Sequence, residues 1–152
     1  MARVQFGLAT VLALCAAPAI AEGPYTSRSA FDDVRFELGN AVVSRGLSIH
    51  SEGNFGKMLE RTGADVGSTK PVYKQAEFIE VCSAKFARLM VEADATLMSN
   101  CPFLLYVYER VDRPGEVVAG FRRLQPGTTS AGQKAVVETE AMLDAIVSEA
   151  VK

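Results

Sequence analysis

Apolar residues recur at helical spacing in four stretches of the chain. Two of the stretches are long, residues 30–45 and 131–151, and each offers one continuous apolar stripe. A short stripe follows Asn54 and ends near Gly63, and another follows Ser83. Since Asn and Ser side chains accept hydrogen bonds from the first turn of a helix, both residues are natural N-caps. The pattern therefore predicts two long helices and two short ones.

Strand patterns separate these helices. Residues 51–54 and 112–115 have the composition of turns, and residues 103–108 form an unbroken apolar and aromatic run. Such a run is typical of a central strand that is buried on both faces. The strands predicted in this way cover residues 25–28, 47–50, 75–82, 103–108 and 116–124, and the last two form an antiparallel hairpin.

The order of these elements predicts an α+β domain in which helices cover an antiparallel sheet. We expect the two long helices to cover one face of the sheet. Unless the short helices fill the other face, that face remains an apolar surface that requires a partner subunit or a ligand, because monomers rarely expose large apolar patches. We therefore expect a homodimer.

The first residues have the pattern of a secretory signal. Arg3 precedes an apolar stretch at residues 6–17, and the small residues Ala19 and Ala21 lie at positions −3 and −1 of a cleavage site. The stretch is too short to cross a bilayer as a helix. We expect a signal peptide at residues 1–21, cleavage near Ala21/Glu22, and a periplasmic or secreted domain at residues 22–152 with no membrane span. A retained N-terminal anchor is the alternative.

Composition excludes several classes of protein. The 152 residues carry 16 basic and 18 acidic side chains, which gives a formal net charge of −2. This length accommodates a single domain, and this charge does not favour binding to a nucleic acid. The chain also lacks the G-x-S-x-G, P-loop and dinucleotide-binding motifs, which disfavours the enzymes that depend on them.

Two cysteines, Cys82 and Cys101, remain after the expected cleavage, in a compartment that permits disulfides. Cys82 ends a predicted strand, and Cys101 precedes another. A bridge between them would close a loop of about 20 residues and would stabilise the fold by roughly 3 kcal/mol. A redox-active thiol pair and two unpaired buried thiols are the alternatives.

His50 is the one histidine of the chain. As a ligand of copper or haem it would need companions such as Met58 or a cysteine. No second histidine and no haem-attachment motif accompany it, so we expect no metal site and no cofactor. Haem or copper bound through His50 and Met58 is the alternative.

Four residues of the predicted hairpin are candidates for a ligand pocket: Tyr106, Tyr108, Glu109 and Arg122. A partly buried carboxylate among them could act as an acid, a base or an anchor for a ligand. The alternative is a tyrosine pair that packs on the sheet, with Glu109 in a cross-strand pair with Arg122 or Arg123.

Several short segments resemble a known family. They are Phe31-Asp32-Asp33-Val34, Gly46-Leu47, Met58-Leu59-Glu60-Arg61-Thr62, residues 78–83, and Cys101-Pro102-Phe103 leading into Val107-Tyr108-Glu109. In order and spacing they resemble domain-of-unknown-function family 302 (DUF302) over residues 25–148. The resemblance implies a TATA-binding-protein-like fold, β-α-β(4)-α with an extra short helix, which is usually dimeric. It implies no reaction.

These observations favour an exported, non-enzymatic binding or accessory domain that holds a small ligand or a protein partner against its sheet. The alternative is a periplasmic redox, metal or haem accessory protein that uses Cys82, Cys101 and His50. A hydrolase or transferase built around Glu109 and the tyrosines is a third hypothesis.

Overall fold

The computed structural model describes residues 23–152. The predicted signal peptide, residues 1–21, lies outside this range. The strands are β1 (Tyr25–Ser27), β2 (Ser48–Asn54), β3 (Tyr73–Cys82), β4 (Phe103–Arg110) and β5 (Val117–Phe121). The helices are α1 (Phe31–Ser44), α2 (Phe55–Thr62), α3 (Ala84–Ala93) and α4 (Ser130–Ala150). Short 3-10 segments, Ala64–Val66 and Ala95–Asn100, follow α2 and α3.

The five strands form one antiparallel sheet in the order β1-β5-β4-β3-β2. Both long helices contact the sheet, and they also pack against each other. Their apolar stripes and the inward residues of the strands build one core, in which Leu38, Leu105 and Leu143 are fully buried. The predicted α+β class, with an antiparallel sheet covered by helices, is confirmed.

The predicted caps of the two short helices are also confirmed. The side chain of Asn54 accepts a hydrogen bond from the backbone N–H of Lys57 at 2.8 Å, and Ser83 accepts one from Phe86 at 3.4 Å. No helix in residues 23–152 is long and apolar enough to cross a membrane.

The turn predicted at residues 51–54 is wrong. These residues continue β2, which pairs with β3 as far as the Asn54–Glu77 pair and contains a bulge between Ile49 and Ser51. Their turn-prone composition is overridden because the neighbouring strand offers backbone partners along this whole length.

The prediction that residues 103–108 are buried on both faces is correct for one face only. β4 is the central strand, but its burial alternates: Phe103, Leu105 and Val107 are fully buried, whereas Tyr106 and Tyr108 are partly exposed. Successive side chains of a strand point to opposite faces. One face of β4 therefore packs against the helices, while the other forms part of a different surface.

Candidate functional site

The sheet face opposite α1 and α4 is the main candidate surface, and we call it the open face. Alternation along β3, β4 and β5 places the following residues on it: Phe78, Glu80, Leu104, Tyr106, Tyr108, Val118, Gly120 and Arg122. α2 packs against β3 on this face, where Gly56 lies beside Ala76. Tyr106 and Tyr108 remain partly exposed.

Aromatic rings run in a continuous row along one part of the open face. Phe55, at the start of α2, contacts Tyr73 with a centroid separation of 6.1 Å, and Tyr73 contacts Tyr108 at 5.4 Å, both edge to face. Tyr108 then stacks on Tyr106 at 6.2 Å with the rings 18° from parallel. Such contacts hold the rings in preferred mutual orientations, so the row is an ordered apolar surface.

Two glycines allow the aromatic side chains to lie flat on the sheet. A Cβ atom added at Gly120 would overlap the phenol of Tyr106, which is its cross-strand neighbour. A Cβ at Gly53 would likewise overlap the ring of Phe78. The rings of Tyr106 and Phe78 therefore lie directly over the backbone of the neighbouring strands.

The environment of Tyr106 keeps its phenol protonated. Burial raises the pKa of Tyr106 above its usual range, the neighbouring Tyr108 raises it further, and Arg123 opposes both effects. At neutral pH the side chain is therefore an uncharged hydrogen-bonding group within an apolar surface.

Two charged residues lie on either side of β4 in a single cross-strand row. Glu80 of β3 is paired in register with Leu104, and the backbone N–H of Arg122 donates to the carbonyl of Leu104 at 2.8 Å. Glu80 accepts a hydrogen bond from the hydroxyl of Ser51 at 2.5 Å, and the guanidinium of Arg122 donates to the carbonyl of Pro102 at 3.2 Å. In the described part of the chain, neither charge belongs to an ion pair.

The structure does not assemble the predicted four-residue pocket. Tyr106, Tyr108 and Arg122 share the open face, but Glu109 lies on the helix-covered face and is buried. The predicted cross-strand pair is also wrong, since Glu109 binds neither Arg122 nor Arg123. Successive side chains of a strand point to opposite faces, so Glu109 and its neighbour Tyr108 lie on different faces of the sheet.

Glu109 instead holds the turn between β4 and β5. Its carboxylate accepts the backbone N–H of Gly115 at 2.8 Å and the ammonium of Lys74 at 3.0 Å. The hydrogen bond from Gly115 is the main reason that the pKa of Glu109 lies below its usual range, and Lys74 adds to the effect. Gly115 has a φ of +76°, a conformation that favours glycine. These contacts give Glu109 a structural role.

Cys82 and Cys101 lie next to each other where β3 ends and β4 begins. Both are free thiols and partly buried, and the two side chains are within hydrogen-bonding reach of each other. Burial, and secondly the proximity of Cys82, raises the pKa of Cys101. The predicted proximity of the two sulfurs agrees with this arrangement, whereas a bridge between them stays a prediction.

His50 and Met58 lie on different elements: His50 is exposed on the edge strand β2, and Met58 is in α2. In residues 23–152, no three His, Cys, Asp or Glu side chains are grouped so that they could hold a metal ion.

A cleft of about 920 Å³ lies between α2, the loop that follows it and the start of β3. We call it the α2 cleft. Leu59, Val72 and Tyr73 provide apolar lining, and Lys57 and Lys70 lie among its polar residues. Its volume is within the range of small-molecule sites.

Sequence reasoning missed several residues of these surfaces. Phe55 and Tyr73 belong to the aromatic row because β2 leads directly into α2. Phe55, at the start of that helix, thereby meets Tyr73 at the start of β3. Glu80 had a usable signal, since the alternation over residues 75–82 already places it on the same face as Phe78. Its relation to Arg122 required the register of three strands.

Comparisons with other proteins agree with the architecture. The model of a protein family described as "Domain of unknown function DUF302" matches residues 24–150. The crystal structure of an uncharacterized conserved DUF302 protein from Bacillus stearothermophilus is similar, with a TM-score of 0.67 and 15% sequence identity, over 84% of this chain and 97% of the other. No curated protein matches the chain. The family match spans almost all of the described residues, and the chain therefore belongs to the DUF302 family.

Proposed function

We propose that the protein is an exported, non-enzymatic binding domain that recognises a protein partner through the open face. One observation carries the proposal. A row of aromatic side chains lies on the open face beside α2, and Tyr106 and Tyr108 of that row remain partly exposed. Extended apolar patches on otherwise soluble domains mark interaction surfaces.

The shape and composition of the open face favour a protein partner over a small molecule. Small ligands are usually bound in concave sites, whereas the rings of Tyr106 and Phe78 fill the space over Gly120 and Gly53 on this face. Tyrosine and arginine are also the residues that protein interfaces enrich and that contribute most of their binding energy. The open face offers Tyr106, Tyr108 and Arg122.

Glu109 supports a role in binding rather than in catalysis. Its carboxylate is directed away from the open face and is occupied by Gly115 and Lys74. A general acid or base must reach the proton that it transfers. A hydrolase or transferase centred on Glu109 and the tyrosines would need these groups on one face.

Export through a cleaved signal peptide at residues 1–21 completes the proposal, and the small residues Ala19 and Ala21 support it. Mass analysis of the N-terminal peptide, from protein isolated from its own cells, tests this part. We expect the chain to begin at Glu22. A periplasmic or secreted location is expected with it, and intracellular protein that retains Met1 would contradict both.

The contact between Cys82 and Cys101 favours a second candidate function, a redox accessory protein. The two thiols would release two protons and two electrons to an external disulfide, which leaves as two thiols, and a Cys82–Cys101 bond would form. Incubation with oxidised glutathione should lower the intact mass by two hydrogen atoms, reversibly with dithiothreitol. Two thiols that still titrate after this treatment would exclude the function.

A photo-reactive residue tests the main proposal directly. Benzoylphenylalanine in place of Tyr106 should form a covalent adduct with one defined protein in the native compartment, identified by mass spectrometry. The same residue in place of Val137, which is 54% exposed on α4, serves as the control. If the Tyr106 position gives no adduct beyond those of the Val137 position, the open face is not a binding surface.

A further inference from the structure

We infer that Cys82, Cys101 and Met98 form a binding site for one Cu(I) ion. The site lies where β3 ends and β4 begins, and the inference goes beyond the proposed function because it does not depend on a partner of the open face. It is carried by two thiols in contact with each other, an exposed thioether next to one of them, and a nearby guanidinium group.

The pairing of β3 with β4 brings the two thiols together. Val81 is paired in register with Phe103, so Cys82, one residue further along β3, lies opposite the residues that lead into β4. Cys101 is one of these residues, and its thiol is within hydrogen-bonding reach of the thiol of Cys82. Both thiols are free and only partly buried. An ion that enters from solvent would therefore join two sulfur atoms that already lie close together.

A thioether lies next to this thiol pair. Met98 belongs to the 3-10 segment Ala95–Asn100, and its carbonyl accepts the backbone N–H of Cys101 at 3.2 Å. Side chains three residues apart in a 3-10 turn lie nearly one above the other. Met98 is 74% exposed, and its side chain is unbranched and flexible. Its sulfur is therefore free to turn towards Cys101, whereas Met90 is fully buried and has no such freedom.

This donor set selects a soft ion. Thiolate and thioether sulfur favour Cu(I), whereas carboxylate and carbonyl oxygen favour Mg²⁺, Ca²⁺ and Mn²⁺. Zinc sites use three or four protein ligands, and no three His, Cys, Asp or Glu side chains of residues 23–152 are grouped to supply them. On binding, Cys82 and Cys101 each lose a proton to solvent and each forms a bond to copper. Neither copper nor sulfur changes its oxidation state, so the step needs no oxidant.

The surroundings of the thiols favour the charge of such a complex. Two thiolates and one Cu(I) leave one negative charge. The guanidinium of Arg122 donates to the carbonyl of Pro102, the residue after Cys101, at 3.2 Å. Arg122 has no ion-pair partner in the described part of the chain, so its charge is available to the complex. α3 begins two residues after Cys82, and the positive end of a helix dipole also stabilises a negative group.

A competition titration tests the inference. The purified protein, reduced and kept free of oxygen, is titrated with Cu(I) in the presence of the chromophoric chelator bicinchoninate. We expect the protein to retain one Cu(I) per chain. Because sulfur supplies all the bonds to copper, Cys82→Ser and Cys101→Ser should each weaken binding at least about a hundredfold, and Met98→Leu about tenfold. X-ray absorption of the loaded original protein should show three sulfur neighbours of copper and no nitrogen neighbour.

Met58→Leu is the matched control for Met98→Leu. Met58 is 37% exposed and lies on α2, so its replacement should leave Cu(I) binding unchanged. Thermal unfolding of each variant verifies folding. The X-ray absorption measurement uses the original protein, so it tests the ligands even where a serine variant does not fold.

The outcomes separate the copper site from the other proposals. Loss of all Cu(I) to the chelator, a nitrogen neighbour in the absorption spectrum, or binding that survives in either serine variant would overturn the inference. So would a Met98→Leu variant that binds as tightly as the original protein. The loaded protein should also keep its mass in oxidised glutathione, because both thiolates hold the ion, and a loss of two hydrogen atoms would contradict this. The adduct test at position 106 involves neither thiol, so failure of one proposal leaves the other standing.

Discussion

Replacing Glu109 by glutamine separates a structural role from a catalytic one. The residue is 3% exposed, and its carboxylate accepts hydrogen bonds from the backbone N–H of Gly115 and the ammonium of Lys74. Glutamine has the same shape and can still accept one hydrogen bond, but it carries no charge. The substitution therefore removes the charge while it leaves the packing of β4 unchanged.

The expected loss follows from these two contacts. A hydrogen bond to a charged group contributes about 1.5–3 kcal/mol to stability, compared with about 0.5–1.5 kcal/mol for a neutral one. The substitution therefore weakens the hydrogen bond from Gly115 by about 1 kcal/mol. The ion pair adds at most about 1 kcal/mol, because Lys74 is 59% exposed and screened by solvent. The free energy of unfolding should fall by about 1–2 kcal/mol at pH 7, and the melting temperature by roughly 4–8 °C.

The pH dependence gives the sharper test. Since the pKa of Glu109 is lowered in the folded protein, its contribution is present above the ordinary glutamate pKa and is lost as the pH falls through the lowered value. Protonated Glu109 then resembles glutamine. Melting curves recorded by circular dichroism from pH 7 to pH 2.5 should show the gap between the original protein and Glu109→Gln closing in acid. Equal stability at pH 7, or a gap that does not change with pH, would refute the structural role.

Three further predictions concern other parts of the molecule. The carboxylate of Asp94 accepts hydrogen bonds from the hydroxyls of Thr96 and Thr128 and from their backbone N–H groups, and these bonds hold its pKa well below the usual range. Asp94→Asn should therefore lower the melting temperature at pH 7 and make it less sensitive to acid, whereas unchanged melting curves would contradict this. Spectrophotometric titration of the original protein should show a tyrosine ionisation above the ordinary pKa of 10.0 that is absent from Tyr106→Phe. A titration curve that keeps this ionisation in the variant would disprove the assignment. Oxidation of Cys82 and Cys101 to a disulfide should stabilise the fold by roughly 3 kcal/mol, measured by denaturant unfolding. Cys101→Ser should abolish this gain, and an equal gain on oxidation of that variant would rule out the bridge.

Local patterns predicted most of the elements, because helical stripes and caps act over a few neighbouring residues. The caps at Asn54 and Ser83 and the hairpin of β4 and β5 are examples. The turn expected at residues 51–54 failed for the opposite reason: β2 extends because β3 offers backbone partners from elsewhere in the chain. Glu109 was placed in the wrong site because its contacts, Gly115 and Lys74, depend on the turn and on the neighbouring strand.

The sequence by itself determined the class of the fold and the family, since hydrophobic periodicity and the order of short segments are properties of the linear chain. It also placed Cys82 at the end of one strand and Cys101 before another, and the pairing of β3 with β4 made these two strand ends neighbours. Only the tertiary structure decided which side chains share a face. Strand parity separates Glu109 from Tyr108, and the register of β3, β4 and β5 aligns Glu80 with Arg122. Register is set by pairing between segments far apart in the chain, and for that reason the surface proposed for binding could be recognised only after folding.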